Sequence, residues 1–281
     1  MWPNNFDYQR AESVDQALEL IGDEGKFLAG GHSLLPVMKL RLSAPEQLVD
    51  IGRIDSLRGI SANGGLTIGA TATHAEIAAS GDVQLMCGAL ADACGGVGDQ
   101  AVRNFGTIGG NIAHADPASD PPTVLVAAGA SINIQGSDGS RSVGAEEFFV
   151  DLFETALDDG ELITSVSVPD LSDHQTAYAK FPHPASRYAI VGVAVALKMD
   201  GDTCEHAHVA VGGATVKAVK CAGAEAALAG SSLDDAALNA AADMVKADIA
   251  DWLAGDVVYP ESYRQQMAGV YLKRAVKAAA G

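Results

Sequence analysis

The sequence predicts an α+β protein with a two-lobed N-terminal domain and a C-terminal domain, and three patterns support this. Residues 1–55 place a glycine turn and a helix between two apolar strands, a βαβ order that favours a parallel sheet. Residues 56–172 carry the hairpin signals Asn63-Gly64-Gly65 and Ser137-Asp138-Gly139, which predict mainly antiparallel strands. A polar break at residues 170–176 precedes residues 173–281, which read as three strands and a bundle of Ala-rich helices.

The first lobe begins with a helix signal and continues into the βαβ unit. Ser13 and Gln16 have the spacing of a capping box at the start of a short helix. Strands are expected at residues 26–29 and 47–51, and we expect Ser33 to cap the helix between them. The apolar face of that helix is predicted at Leu34, Leu35, Met38 and Leu42.

The other two parts are read from the same signals. In the second lobe, Thr73 and Glu76 form another capping box. Helices are predicted there at 82–94 and 121–128, and strands at 58–62, 66–70, 131–135, 141–143 and 161–168. In the C-terminal part, strands are predicted at 178–181, 189–199 and 206–211, and helices at 222–228, 233–253 and 261–280.

The first glycine loop, residues 27–36, reads FLAGGHSLLP. Glycines let a backbone turn at positive φ and approach a ligand without a Cβ in the way. A strand, a glycine turn and a helix N-terminus together make a typical phosphate site. The loop lacks the G-x-G-x-x-G dinucleotide fingerprint and the Lys-Ser/Thr of a P-loop, so a plain structural turn is an equal alternative on this loop alone.

A second glycine loop, residues 106–113, reads GTIGGNIA and is followed by HADPASDPP. Two such loops suit a ligand with two linked phosphates, each loop giving backbone N–H groups to one of them.

The composition restricts the class of ligand and partner. Eighteen basic and 36 acidic residues give a net charge of −18, which argues against nucleic acid and against an anionic membrane surface. No run approaches the ~20 apolar residues needed to span a bilayer, and the N-terminus lacks the pattern of a signal peptide. The four cysteines form no C-x-x-C pair, and His206 and His208 have no third ligand nearby, so no metal site is expected.

Together the two glycine loops, the D-P-A-S-D that follows the second, and segments at 180–181, 189–194 and 263–275 resemble one family over nearly the whole chain. They are similar to the FAD-binding medium subunit of the carbon monoxide dehydrogenase and xanthine dehydrogenase class of molybdenum hydroxylases. The resemblance implies a PCMH-type fold, like that of vanillyl-alcohol oxidase, and FAD as the cofactor. The implied cofactor-binding residues are Leu28, Ala29, Gly30, Gly31, His32, Ser33, Leu34, Leu35, Thr107, Ile108, Gly109, Gly110, Asn111, Asp120, Ile163 and Lys180.

Individual roles follow from the resemblance, each beside a simpler alternative. Thr107 and Asn111 would bind phosphate or ribose, or else only cap turns. Asp120 would accept hydrogen bonds from ribityl or ribose hydroxyls, or else cap the helix before Pro121. Lys180 would stabilise negative charge near the isoalloxazine ring, or else be a solvated strand lysine.

The flavin end of the site is less completely matched. Ile163 or Thr164 matches a position where backbone groups meet the pyrimidine end of the ring. Val97 or Gly98 stands where some relatives place an aromatic side chain over the ring, and Tyr188 is the nearest aromatic alternative. Arg187 replaces an acidic residue of many relatives.

His32 raises the question of how the flavin is attached. In flavin oxidases of the berberine-bridge type, a histidine in a similar loop bonds covalently to the flavin. In the molybdenum hydroxylase class the flavin is bound non-covalently, and His32 would only pack or hydrogen-bond beside the phosphates.

The resemblance implies an oxidoreductase subunit that is incomplete alone. A large subunit with a molybdenum cofactor would oxidise the substrate, and a small subunit would relay electrons through two [2Fe-2S] clusters. This chain would pass them from FAD to a quinone, NAD or oxygen. The three subunits would form a heterohexamer with two copies each of the large, medium and small subunit, (LMS)2. This complex would be cytoplasmic and could lie against the inner membrane. The alternatives are a stand-alone FAD oxidase of the same fold and a non-redox nucleotide-binding protein.

Overall fold

The structure is a computed structural model that describes residues 2–281, and its first lobe is a small parallel sheet. Its elements are β1 (Asp7–Arg10), α1 (Val14–Leu20), β2 (Gly25–Leu28), α2 (Leu34–Lys39) and β3 (Gln47–Asp50). The strand order is β1-β3-β2 with both pairings parallel, which confirms the predicted βαβ unit. The edge strand β1 was not predicted, because its residues are exposed and carry no apolar alternation.

Two expectations for α2 are wrong. The Ser33 side chain makes no capping hydrogen bond, because its backbone is already in the right-handed helical region and not in the extended conformation of a cap. The helix ends at Lys39, so Leu42 lies outside it and is 77% exposed. The end is a Schellman motif in which Arg41 has φ +60°, Arg41 N–H donates to Met38 O, and Leu42 N–H donates to Val37 O.

The second lobe is built on a five-stranded sheet. Its strands are β4 (Ile60–Ala62), β5 (Gly65–Gly69), β6 (Ser131–Gly136), β7 (Gly139–Gly144) and β10 (Leu162–Pro169), and β8 (Phe149–Asp151) and β9 (Glu154–Thr155) form a separate small hairpin. The order β4-β5-β10-β6-β7 has only antiparallel pairings, and both predicted hairpins are present.

The helices of this lobe depart further from the sequence prediction. They are α3 (His74–Ala79), α4 (Gly81–Met86), α5 (Gly88–Gly96), α6 (Gln100–Phe105), α7 (Ile108–His114), α8 (Asp120–Ala127) and α9 (Ala145–Phe148). The single helix predicted at 82–94 is broken at Cys87, whose φ and ψ of −156° and 71° are not helical. The second glycine segment is not a loop, because Gly109 and Gly110 lie in the first turn of α7.

The C-terminal domain is an antiparallel sheet covered by three helices. The sheet contains β11 (Gln175–Pro182), β12 (Ala189–Asp200), β13 (Thr203–Gly212) and β14 (Val219–Lys220), and the helices are α10 (Ala222–Leu228), α11 (Asp235–Asp248) and α12 (Glu261–Ala280). The predicted α+β class is confirmed, with the two-residue β14 as a fourth strand beyond the three predicted. Helix α5 packs against β11, and α8 packs against β12 and β13, so the C-terminal sheet lies directly on the second lobe.

Within residues 2–281, no helix combines the length and apolar character needed to cross a bilayer. All four cysteines are free and buried.

Candidate functional site

A cleft of about 510 Å³ opens where the three parts of the chain meet. That volume is within the range of natural cofactor sites. Gly30 reaches it from the first lobe, Gly110 and Ile163 from the second, and Tyr188 from the C-terminal domain. The cleft therefore needs all three parts to be complete.

The first glycine loop forms one wall and offers a row of free hydrogen-bond donors. The backbone N–H groups of residues 30–34 donate to no acceptor within residues 2–281. Gly31 turns the chain at φ +72°, and a Cβ at Gly30 would collide with the carbonyl oxygen of Phe105. Consecutive unpaired N–H groups in a concave backbone are the features of an anion site.

The second glycine pair differs from the first in the hydrogen bonds of its N–H groups. Ile108 N–H donates to Ala72 O, Gly109 N–H to Ala70 O, and Gly110 N–H to the Oγ1 of Thr107. The first N–H groups of α7 thus have acceptors inside the protein, and their contact with a phosphate stays a prediction. A Cβ at Gly109 would lie 2.6 Å from the Cβ of Ala70, so this glycine allows α7 to pack closely on the end of β5.

Thr107 and Asn111 nevertheless reach the cleft with their side chains. Thr107 caps α7, and its hydroxyl hydrogen remains available for a ligand. The Oδ1 of Asn111 accepts a 2.8 Å hydrogen bond from Ser119 Oγ, which leaves its Nδ2 group without a partner in the described chain. Asn111 is therefore oriented with donors free to face a ligand.

Asp120 lies in the cleft wall and is held by two side chains of the C-terminal sheet. Its carboxylate accepts from Tyr178 Oη at 2.7 Å and from Lys180 Nζ at 2.7 Å, and it is 3% exposed. Burial raises the pKa of Asp120, and the Lys180 ammonium opposes that rise. The alternatives of a helix cap at Asp120 and a solvated Lys180 are both wrong, because Asp120 bonds across to β11 and Lys180 is mostly buried.

The structure brings most of the predicted residues to the cleft but leaves out three. Leu35, Ile108 and Lys180 do not line it. Ile108 is fully buried in the core of the second lobe, and Lys180 Nζ donates to Asp120 Oδ2 and to Gly96 O. The residues that line it are Leu28, Ala29, Gly30, Gly31, His32, Ser33, Leu34, Thr107, Gly109, Gly110, Asn111, Asp120 and Ile163.

Val97, Gly98 and Tyr188 all line the cleft. Arg187 has φ +64° and donates from Nη1 to Gly98 O at 3.2 Å, which fixes the 183–188 turn against the end of α5. Tyr188 is 46% exposed beside this contact. The sequence-based candidates for the flavin end are therefore neighbours in space.

His32 and His74 are the histidines next to the first glycine loop. His32 donates from Nδ1 to Gly30 O at 2.8 Å, since a carbonyl can only accept, and its ring stacks on Phe105 at 5.5 Å. His74 lines the cleft with 2% exposure and was missed by sequence reasoning, which used the Thr73–Glu76 segment only as a capping box. Burial, then the charges of Arg103 and His32, lower the pKa of His74 to about 4.

The described residues contain no group of three potential ligands that could hold a metal ion. His206 and His208, which the sequence places two apart, belong to no such group within residues 2–281.

Comparison with known proteins gives matches over both halves of the chain. Residues 4–171 match the family described as "FAD binding domain in molybdopterin dehydrogenase", and residues 176–279 match "CO dehydrogenase flavoprotein C-terminal domain". The chain is 38% identical to the carbon monoxide dehydrogenase medium chain of Hydrogenophaga pseudoflava, covering 99% of this chain and 98% of that one. It is 37% identical to the glyceraldehyde dehydrogenase medium chain of Sulfolobus acidocaldarius, covering 99% of each.

Solved structures give the same result. The fold matches the carbon monoxide dehydrogenase of Hydrogenophaga pseudoflava with a TM-score of 0.95 and 38% identity, over 100% of this chain and 99% of that one. It matches quinoline 2-oxidoreductase of Pseudomonas putida 86 with a TM-score of 0.94 and 30% identity, over 100% and 99% of the two chains.

Proposed function

The chain belongs to the family of FAD-binding medium subunits of molybdenum hydroxylases, and we propose that it carries electrons from the [2Fe-2S] clusters of a partner subunit to an external acceptor. It is an oxidoreductase subunit with FAD as its cofactor. The observation in the fold that best supports a cofactor role is the row of unpaired N–H groups at residues 30–34.

The residues of the cleft fit FAD in charge and shape. Donors at residues 30–34 suit a diphosphate, and the free amide of Asn111 suits a phosphate or hydroxyl oxygen. Asp120 would repel phosphate, so its place in the wall suits the hydroxyl groups of the ribityl chain. A Cβ at Gly30 would push Phe105 and the loop apart, which explains why glycine stands there.

Each of these residues has a task that does not depend on the partner subunits. The loop at 30–34 binds and orients the diphosphate, and the Lys180 ammonium opposes the rise that burial causes in the pKa of Asp120, which favours the hydrogen-bond-accepting carboxylate. Bound FAD supplies the redox chemistry, since a flavin exchanges electrons with both one-electron and two-electron partners. We propose that the site residues named from the sequence form the FAD-binding set. Leu35, Ile108 and Lys180 do not line the cleft and would support the residues that do.

We place the chain in a complex with a molybdenum-cofactor large subunit and a [2Fe-2S] small subunit. Membership of the medium-subunit family supports such partners. We further propose that the complex is an (LMS)2 heterohexamer and that its electron acceptor is a quinone, NAD or oxygen. Free, buried thiols at all four cysteines suit a reducing cytoplasm, where we locate the complex.

Co-expression with the neighbouring open reading frames tests this proposal. Size-exclusion chromatography with metal analysis and a visible spectrum should give one complex that contains molybdenum, iron and FAD. A metal-free homomer that oxidises an organic substrate unaided, with oxygen as acceptor, would contradict it and favour the stand-alone oxidase. A colourless protein that binds nucleotides would favour the non-redox alternative.

A further inference from the structure

His74 is a buried imidazole with unused hydrogen-bonding capacity in the wall of the cleft. Its Nδ1 atom is buried and has no partner, and it is the only such side-chain atom within residues 2–281. The backbone at His74 is firmly held, because the Thr73–Glu76 capping box fixes the start of α3 and the backbone N–H of His74 donates to Gly106 O at 2.9 Å. A buried histidine nitrogen without a hydrogen-bond partner destabilises the fold, so packing alone does not explain a histidine at this position.

The ring lies directly behind the first glycine loop. A Cβ on Gly106 would lie 2.9 Å from Cδ2 and 3.3 Å from Nε2 of His74, so the imidazole packs directly against this glycine. On the loop side, a Cβ on Gly30 would lie 3.1 Å from the Cα of Gly106. Gly30, Gly106 and His74 therefore follow one another in the wall, and the donor row of residues 30–34 begins at the same place.

The two ring nitrogens are not equivalent. Nδ1 is enclosed, whereas Nε2 also has no partner in the chain but is not enclosed, and the residue lines the cleft. A proton on Nδ1 would be an N–H with no acceptor, whereas a proton on Nε2 faces the cleft. The neutral tautomer with hydrogen on Nε2 is therefore the one that the surroundings favour.

The charges around His74 point to an anionic ligand. Arg103 and His32 are the other basic side chains that act on this ring, and Arg103 is fixed by hydrogen bonds from Nη1 to the carbonyl oxygens of Val97 and Gly98. The Arg103 guanidinium near the ring and the unpaired N–H groups of residues 30–34 both favour an anion at this part of the cleft. The acidic Asp120 also lines the cleft but is paired with Lys180.

We propose that His74 is a cofactor-binding residue that donates a hydrogen bond from Nε2 to the diphosphate of FAD as a fixed, neutral donor. The inference rests on the proposed function, because it assumes that FAD is the occupant of the cleft. It adds to the backbone donors a side chain for which neither the glycine motifs nor the family resemblance provides a role.

Binding measurements on flavin-free, full-length protein test this, with FAD and ADP as the two probes. His74→Phe keeps the ring volume but removes the donor, and it should weaken both FAD and ADP about ten- to a hundredfold, the range for a hydrogen bond to a charged group. His74→Gln keeps a donor and should stay within about threefold of the wild type. His208→Phe, which removes a histidine outside the cleft, is the matched control.

The outcomes separate the inference from the proposed function. Equal affinity of His74→Phe and the wild type for both probes would overturn the role of His74 while leaving FAD as the cofactor. Loss of FAD affinity with unchanged ADP affinity would also overturn it, because the contact would then be at the flavin end. A wild-type complex that binds no FAD would contradict the proposed function itself.

A spectroscopic readout covers the case in which His74→Phe does not fold. In wild-type protein labelled with ¹⁵N histidine, the Nε2 signal of His74 should shift when ADP is added, and the Nδ1 signal should keep the position of an unprotonated nitrogen. An Nε2 signal that does not move at saturating ADP would overturn the proposal.

Discussion

The two glycine pairs look alike in the sequence and do different things in the structure. Gly30 and Gly31 belong to a loop whose N–H groups are free, whereas Gly109 and Gly110 begin a helix whose N–H groups are bonded inside the protein. The first pair opens a backbone surface toward the cleft, and the second lets α7 pack against Ala70. A glycine pair beside a ligand is therefore not by itself evidence that its N–H groups bind that ligand.

Acidification is expected to cause the largest loss of unfolding free energy. It tests the tight packing at Gly106, just before the second glycine pair, where the His74 ring lies against the backbone. The pKa of His74 is lowered to about 4 by burial, Arg103 and His32, so folding is favoured by a neutral ring. That contribution is complete above the ordinary histidine pKa of about 6.5 and is lost as the pH falls toward about 4. The expected loss is about 3 kcal/mol of unfolding free energy.

Urea unfolding between pH 4 and 7 measures that loss. Because carboxylates also titrate there, the quantity that matters is the difference between the wild type and His74→Gln. The variant should lose clearly less stability on acidification, and parallel curves for the two proteins would contradict a buried neutral ring.

Gly31→Val should cause the next largest effect and test the loop side of the comparison. Gly31 has φ +72°, and a β-branched residue there forces the loop out of its shape and misdirects its N–H groups. FAD affinity should fall at least about a hundredfold, while the unfolding free energy drops by only about 1–2 kcal/mol. Full FAD content per folded chain in this variant would show that the loop does not bind the diphosphate of FAD.

Gly109→Ala tests the packing side and should mainly affect stability. The new Cβ would meet the Cβ of Ala70 at 2.6 Å and its carbonyl oxygen at 2.7 Å, so α7 must move. We expect a loss of about 2 kcal/mol of unfolding free energy, as for other overpacked sites. FAD affinity should change less than in Gly31→Val.

The matched control for Gly109→Ala is Gly81→Ala. A Cβ at Gly81 has no described neighbour within 4 Å and lies in the first turn of α4, so this variant should be neutral or slightly more stable. If both alanine variants have the same stability, close packing of α7 does not explain Gly109.

The smallest expected effect is a difference in unfolding free energy between variants of Thr107 and Ser33, the two hydroxyl residues that flank the glycine pairs. Thr107 caps α7 through Gly110 N–H, whereas Ser33 makes no capping bond. Thr107→Ala should therefore cost about 1 kcal/mol of unfolding free energy in flavin-free protein, and Ser33→Ala close to nothing. Thermal unfolding of both variants measures the difference, and an equal loss in the two would contradict it.

The sequence predicted the fold better than the geometry of the site. Ala-rich composition located α10 and α12 at their observed bounds, and glycine signals located both hairpins. Strand β1 was not predicted because its residues are exposed. The helix break at Cys87 was not predicted because it depends on tertiary packing, which no local sequence pattern indicates. The two-residue β14 is too short to carry a period.

The site was predicted as a set of residues but not as a set of contacts. Whether an N–H group is free depends on which carbonyl lies opposite, and Ala70 and Ala72 lie far from α7 in sequence. The Asp120–Lys180 pair likewise spans two domains. His74 carried a weak signal, a histidine inside a capping box, whose burial only the fold shows.

Backbone amide exchange, with and without FAD, tests the central comparison most directly. The amides of residues 30–34 have no internal acceptor, so they should exchange fast in flavin-free protein and become protected when FAD binds. The amides of Ile108, Gly109 and Gly110 are bonded internally and should be slow in both states. Strong new protection at residues 108–110, with residues 30–34 unchanged, would contradict the account and assign the cradle to the second glycine pair.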